Sequence, residues 1–321
     1  MVAGAAAGET MAMSTVCVTG AGGFIASWLV HRLLSTGGYV VHGAVRDPSD
    51  PKHAHLKALG GAGERLRLFA ADMLDPAAVA AAVAGCDGVF HVASPVPTSK
   101  PADPEREVVA PAVAGTRNVL AACRDAGVRR VVFVSSVAAV AVNPKCPAGV
   151  DLDEESWSDE DFCRTIKTLA ERAALAYAEE TGLDVVSVCP SWVLGPLLQS
   201  TVNNSSLTLI DYLRGDRDTA DDKVKNVVDV RDVADALVLA YEAPAAKGRY
   251  ICRAYPMSMA EIVDTIKRFH PNHTYPTNFV KVQDERMFTS KKLQALGWKY
   301  RTAEETFKDI VESYKAAGIL N

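Results

Sequence analysis

The residues with the plainest chemistry are Gly20, Gly23 and Ala26, spaced Gly-x-x-Gly-x-x-Ala inside Val16–Trp28. An apolar, β-branched run enters this stretch, and an amphipathic run with Leu29, Leu33 and Leu34 on one face leaves it. Strand, tight turn and helix N-terminus follow one another. Glycine lets a backbone approach a ligand closely, and the free N–H groups and dipole of a first helical turn favour a pyrophosphate. Gly20, Ala21, Gly22, Gly23, Phe24, Ile25 and Ala26 are therefore the expected cradle of a dinucleotide. The residue after the second strand selects which one. A carboxylate there holds a ribose 2′-OH, whereas an arginine suits a 2′-phosphate. Arg46 occupies that place with Lys52 shortly after, which points to NADP; Asp47, beside it, keeps NAD open.

Three further positions stand at strand ends. Asp72 follows the third apolar strand, where a carboxylate can accept from an adenine amino group or cap the next helix. Ala93 and Ser94 follow Gly88–Val92, at the edge of the crevice where an open parallel sheet holds its cofactor. Ser135 and Ser136 close the fifth strand, where a serine can hydrogen-bond a substrate carbonyl or simply end the strand.

These residues need a frame of alternating strands and helices. Strands are expected over Tyr39–Val45, Leu66–Ala70, Gly88–Val92, Arg129–Ser135, Val185–Cys189 and Gly248–Cys252. Helices are expected over Ala26–Thr36, from the Asp75-Pro76 cap onward, over Val108–Ala126, and from a Thr168–Glu171 capping box to Thr181. Ser258–Glu261 and Thr302–Glu305 are two more capping boxes, Asp232 is an expected cap, and Trp157 an expected anchor. The alternation implies right-handed βαβ units and an α/β fold with a Rossmann-type doubly wound parallel sheet. Residues 15–190 form the expected dinucleotide unit, with 224–243 returning to it. A smaller α/β substrate lobe spans 191–321, and residues 1–14 read as a disordered tail. His91 fits a core histidine, Trp298 a packing residue and Trp192 a packing or cleft residue; His53 and His55 are expected to be exposed.

Composition narrows the class. A net charge of −5 with scattered Lys and Arg excludes an extended nucleic-acid surface. No apolar run reaches bilayer length. The 7 cysteines include no Cys-x-x-Cys pair, so reduced thiols in a cytoplasmic protein are expected, with no metal site and no disulfide frame.

In combination, several stretches resemble the extended short-chain dehydrogenase/reductases, in particular the plant cinnamoyl-CoA reductase and dihydroflavonol reductase family. They are Val16–Trp28, Val45–Leu56, Ala71–Leu74, Cys86–Pro95, Arg129–Ser136, Val193–Ser200, Val228–Ala234 and Gly248–Tyr250. The resemblance implies an NADPH-dependent reductase of phenylpropanoid-type carbonyls or CoA thioesters, working as a monomer or homodimer on a small-molecule substrate. It implies cofactor contacts at Gly20, Gly23, Phe24, Ile25, Arg46, Lys52, Asp72, Met73, Val92, Ala93, Ser94, Pro190 and Val193. It also implies a catalytic Ser136, and a Lys167 that binds the nicotinamide ribose and lowers the pKa of a partner tyrosine.

That tyrosine is missing. The family places a Tyr-x-x-x-Lys pair after Phe-Cys, but this chain runs directly from Phe162-Cys163 to Lys167, about seven residues short, and no tyrosine has a lysine four positions on. Cys163 takes the place four before the lysine, and a thiol is a weak donor. The cations the family uses for CoA correspond here to Thr208, Asp211 and Met259. Three expectations follow: an impaired reductase, an inactive NADP-binding paralogue, or a shortened splice or gene-model form of an active enzyme.

Overall fold

The computed structural model of the protein describes residues 13–95, 102–143, 150–159, 166–213, 218–282 and 286–320. Cys146, Cys163 and most of the expected tail lie outside them, and Ser14 is already strand.

The β-branched runs form strands in chain order: β1 (Ser14–Thr19), β2 (Tyr39–Val45), β3 (Leu66–Ala70), β4 (Gly88–His91), β5 (Arg130–Val134), β6 (Val185–Pro190) and β7 (Trp192–Leu194). They continue with β8 (Thr219–Asp222), β9 (Lys225–Asp229), β10 (Gly248–Cys252), β11 (Tyr255–Met257) and β12 (Asn278–Lys281). Seven make one parallel sheet ordered β10-β6-β5-β4-β1-β2-β3. The order reverses between β1 and β4, where Val16 pairs with Val41 on one side and Gly88 on the other. In an open parallel sheet the crevice beyond such a switch point is where ligands bind.

Helices cover both faces, which is why β4, β5 and β6 are buried along their whole length. Leu29 and Leu33 of Phe24–Thr36 share one core with Val233 and Leu237 of Val230–Glu242. Val79, Val119, Leu120 and Ala174 of three other helices fill the opposite face. A separate core of Leu209, Ile262, Ile266, Phe307 and Ile310 joins the helices Asn204–Leu213, Met259–Phe269 and Ala303–Ala316 beside a small β11-β9-β7 sheet.

The strands expected at Tyr39–Val45, Leu66–Ala70 and Gly248–Cys252 form with those bounds, and the others differ by a residue or so at their ends. Asp75 caps Pro76–Val83 by accepting the N–H of Ala77 and Ala78, and both the Ser258 and Thr302 capping boxes close. A π turn, Glu105–Val109, precedes the helix Ala110–Asp125.

Two expected caps are corrected. Asp229, not Asp232, caps Val230–Glu242 by accepting the Arg231 N–H. Asp232 is buried and instead accepts the N–H of Arg301 at 2.8 Å and bonds the Arg301 guanidinium; burial raises its pKa to about 6. Thr168 is not the start of its helix, which runs Ile166–Thr181 and encloses it. Within the 191–321 span, β10 pairs with β6 in the main sheet.

Candidate functional site

Gly20 turns the chain at the end of β1 with φ +65°, and a Cβ there would meet Ala93 Cα at 3.0 Å. Only glycine lets the turn lie this close to the end of β4. The Gly23 N–H donates to Gly20 O at 2.8 Å, and the helix Phe24–Thr36 starts next. No side chain caps that N-terminus, and its first turn holds no acid. Its N–H groups and dipole are thus left for an anion.

Thr19 and His91 lock the two strand ends together. Thr19 Oγ1 accepts the N–H of Val92 and Ala93 at 3.1 and 3.0 Å, so its own proton goes to His91 Nδ1 at 2.9 Å. The Nε2–H of His91 then donates to Thr116 Oγ1 at 3.2 Å. Burial, aided by the Lys167 charge, lowers the His91 pKa to about 3, so the ring stays neutral as this pattern requires. His91 is the core histidine expected of it.

At the end of β2, Arg46 is exposed and makes no ion pair or side-chain hydrogen bond among the described residues. Asp47 is turned into its own loop, accepting from Ser49 N and Oγ at 2.8 and 2.6 Å, which holds its carboxyl below the usual range. Lys52 pairs with Asp50 at 2.6 Å. The two neighbouring histidines are not the exposed side chains expected. His55 bonds Ser27 Oγ and Lys52 O, and His53 is buried. Asp72 forms the turn into the next helix, accepting the Leu74 N–H at 2.9 Å, while Met73 O accepts from Asn118 at 2.9 Å. Val92, Ala93 and Ser94 are half-buried.

The side chains expected to act on a substrate lie at β5, β6 and the helix Ile166–Thr181. Ser136 is half-buried, and its Oγ accepts the Ala138 N–H at 3.1 Å, which leaves the hydroxyl proton available. Lys167 sits in the first turn of Ile166–Thr181, so a helix fixes its direction. Its ammonium makes no hydrogen bond among the described residues. Burial lowers its pKa to about 8, partly opposed by Cys189 and Glu171. Pro190 ends β6, and Val193 is buried in β7. All 9 tyrosines are described, and none hydrogen-bonds Ser136 or Lys167.

Folded Lys167 binds its proton less tightly than an unfolded lysine does. It therefore weighs against the fold below about pH 8, and that penalty is relieved as pH rises from about 8 toward the ordinary 10.5. Lys167→Met should stabilise the chain by ~1–3 kcal/mol at neutral pH. Urea melts check this, and the advantage should shrink by about pH 10.

One buried cluster was not anticipated. The Glu171 carboxylate accepts from Ser135 Oγ at 2.8 Å, Ser187 Oγ at 2.6 Å, and Arg249 Nε and Nη2 at 2.8 and 3.2 Å. The Arg249 guanidinium lies 3.5 Å from the centre of the Trp157 ring, which makes Trp157 the expected anchor. A charge in the otherwise apolar strand Gly248–Cys252 was the available signal.

The model of the NAD dependent epimerase/dehydratase family matches residues 16–252. The chain belongs to that family. Within it, the chain is a cinnamoyl-CoA reductase-like extended short-chain dehydrogenase/reductase. It is 45% identical to cinnamoyl-CoA reductase 1 of Petunia hybrida over 95% of this chain and 93% of that protein. It is 39% identical to dihydroflavonol 4-reductase of Zea mays, over 100% of this chain and 93% of that one. The vestitone reductase structure from alfalfa superposes with a TM-score of 0.80 at 30% identity, over 95% and 99% of the two chains. Yeast methylglyoxal/isovaleraldehyde reductase, solved with NADPH, gives 0.82 at 26% identity over 95% and 99%. In this family member the open glycine turn and the Ser136–Lys167 end thus lie on a reductase scaffold.

Proposed function

We propose that the chain is an NADP-binding reductase of phenylpropanoid-type carbonyls, slowed by the loss of its family tyrosine. The observation that carries the cofactor choice is at the end of β2: Arg46 is unpaired among the described residues while Asp47 is tied to Ser49. A 2′-phosphate finds a cation there, whereas Asp47 spends Oδ1 on its own loop and has only Oδ2 left for a 2′-OH. The uncapped turn Gly20–Ala26 takes the pyrophosphate, residues 71–73 and 92–94 border the adenine and nicotinamide halves, and Pro190 and Val193 close the far side. The main sheet, with the helix Val230–Glu242 of the 224–243 return packed on it, is the cofactor unit, and the smaller core within 191–321 faces the substrate.

The bound dinucleotide supplies a hydride to the substrate carbonyl carbon. Ser136 donates its hydroxyl proton in a hydrogen bond to the carbonyl oxygen. Lys167 holds the nicotinamide ribose hydroxyls, and its charge stabilises the developing oxyanion. The proton that completes the alcohol comes from water, because no tyrosine stands four residues before Lys167. Losing a positioned acid slows such a step by about 10²–10⁴. Thr208, Asp211 and Met259, in place of cations, favour an uncharged carbonyl compound over a CoA thioester. The same missing tyrosine supports a second reading, a protein that binds NADP without turnover.

Fluorescence titration with NADPH and NADH, followed by NADPH oxidation with cinnamaldehyde-type and CoA-thioester substrates, separates these. Arg46→Ala should weaken NADPH about tenfold and leave NADH nearly unchanged. Equal binding of both dinucleotides, unmoved by that substitution, would sink the NADP assignment. Tight NADPH binding without oxidation selects the second reading.

A further inference from the structure

The imidazole of His53 rests on the glycine turn itself. The residue is 5% exposed, and a Cβ on Gly22 would fall 2.2 Å from Nδ1 and 2.3 Å from Cε1. Nδ1 is buried with no hydrogen-bond partner among the described residues. Buried polar atoms almost always have one, so an orphan calls for a specific explanation. The neighbouring His55 shows the contrast. Both its nitrogens are taken, by Ser27 Oγ and Lys52 O at 2.8 Å each, which fastens the loop to the helix Phe24–Thr36. The Asp50 side chain accepts the Lys52 N–H at 3.0 Å and shapes the turn Pro51–His53. The loop is thus held rigidly while it presents an unbonded ring to Gly22.

The surroundings indicate what the ring lacks. Arg46 stands at the end of β2 and Lys52 precedes His53. Of the two nearby carboxylates, Asp47 is held through Oδ1 by Ser49 and Asp50 is paired with Lys52. The first turn of Phe24–Thr36 brings no acid. Lys52 acts on the ring, and its Nδ1 has no acceptor among the described residues, which suits an external anion.

We propose that His53 is a third ligand of the adenosine 2′-phosphate, its ring N–H donating to a phosphate oxygen beside Arg46 and Lys52. This rests on the dinucleotide site proposed above and adds a residue that neither the glycine spacing nor the arginine rule requires. The loop then selects NADP partly through a titratable group. In the free protein, burial and the Lys52 charge lower the His53 pKa, with Asp50 and Asp47 opposing and His55 adding to the effect. A phosphate dianion against the ring favours its protonated form, so NADPH binding takes up a proton. The preference for NADPH over NADH should therefore be greater near pH 6 than near pH 8.

The test measures dissociation constants for NADPH and NADH by fluorescence quenching, near pH 6 and near pH 8, for the natural chain, His53→Leu and His53→Gln. The fragments 2′,5′-ADP and 5′-AMP serve as probes of the phosphate alone. His53→Leu should weaken NADPH and 2′,5′-ADP about tenfold while NADH and 5′-AMP stay within about twofold. His53→Gln, which keeps a neutral donor, should recover part of the affinity and lose the pH dependence. If His53→Leu keeps the natural NADPH-to-NADH ratio at both pH values, the proposal is overturned and the site stands. Equal weakening of NADH assigns His53 a packing role and also overturns it. If the natural chain binds neither dinucleotide, the proposed site falls, and this ligand with it.

Discussion

Replacing Arg249 by methionine should lower the unfolding free energy by about 3–5 kcal/mol, the loss seen when one partner of a buried ion pair is removed. Glu171 is 0% exposed, and without the Arg249 fork its carboxylate keeps, among the described residues, only the hydroxyls of Ser135 and Ser187 and the thiol of Cys189. The arginine also donates to Glu154 O and Ser156 O at 2.9 and 2.7 Å and stacks on Trp157. Its loss therefore frees the 150–159 segment as well. Arg249→Met together with Glu171→Met should restore much of the stability, because an apolar pair avoids burying an unpaired charge. Urea melts of the single and double variants decide it: a single variant within about 1 kcal/mol of the natural chain would show that the pair does not hold the sheet edge. The pair matters beyond stability. It joins β10 and β6 to the helix Ile166–Thr181, which carries Lys167.

Features governed by neighbours in sequence were legible, and features completed from afar were not. The glycine turn, the Asp75 cap and the Ser258 and Thr302 boxes depend on residues within a turn of one another, and they form as read. The Thr168–Glu171 pattern has the same spacing, yet Glu171 is drawn inward by Arg249, 78 positions away. Asp232 and Asp229 are both suited to capping; the distant Arg301 claims the first and leaves the second at the helix N-terminus. His53 lies in a polar loop of proline, lysine and aspartate, which reads as solvent-facing. It is buried because Gly22 has no side chain where the ring lies. Pairing of β10 with β6 was equally out of reach, since a five-residue strand does not announce its neighbour.

Restoring the family segment should have the largest effect on chemistry. Inserting about seven residues before Ile166, so that a tyrosine stands four positions ahead of Lys167, should raise carbonyl-dependent NADPH oxidation by about 10²–10⁴. Seven residues are close to two helical turns, so the downstream face of the helix keeps its orientation toward β5 and β6. Lys167 is already helical, half-buried and without a hydrogen-bond partner among the described residues, so its charge can act on a phenol one turn away. That charge favours the phenolate and brings the tyrosine nearer to operating pH, where proton donation to the carbonyl oxygen is efficient. Ser136, with its hydroxyl proton available, completes the polarisation. NADPH affinity should change by less than about threefold, since the turn and Arg46 are untouched and only the transition state gains an interaction. Lys167→Met in the extended chain should remove most of the gain. An extended chain that binds NADPH as before yet oxidises it no faster would show that the missing acid is not what limits this protein.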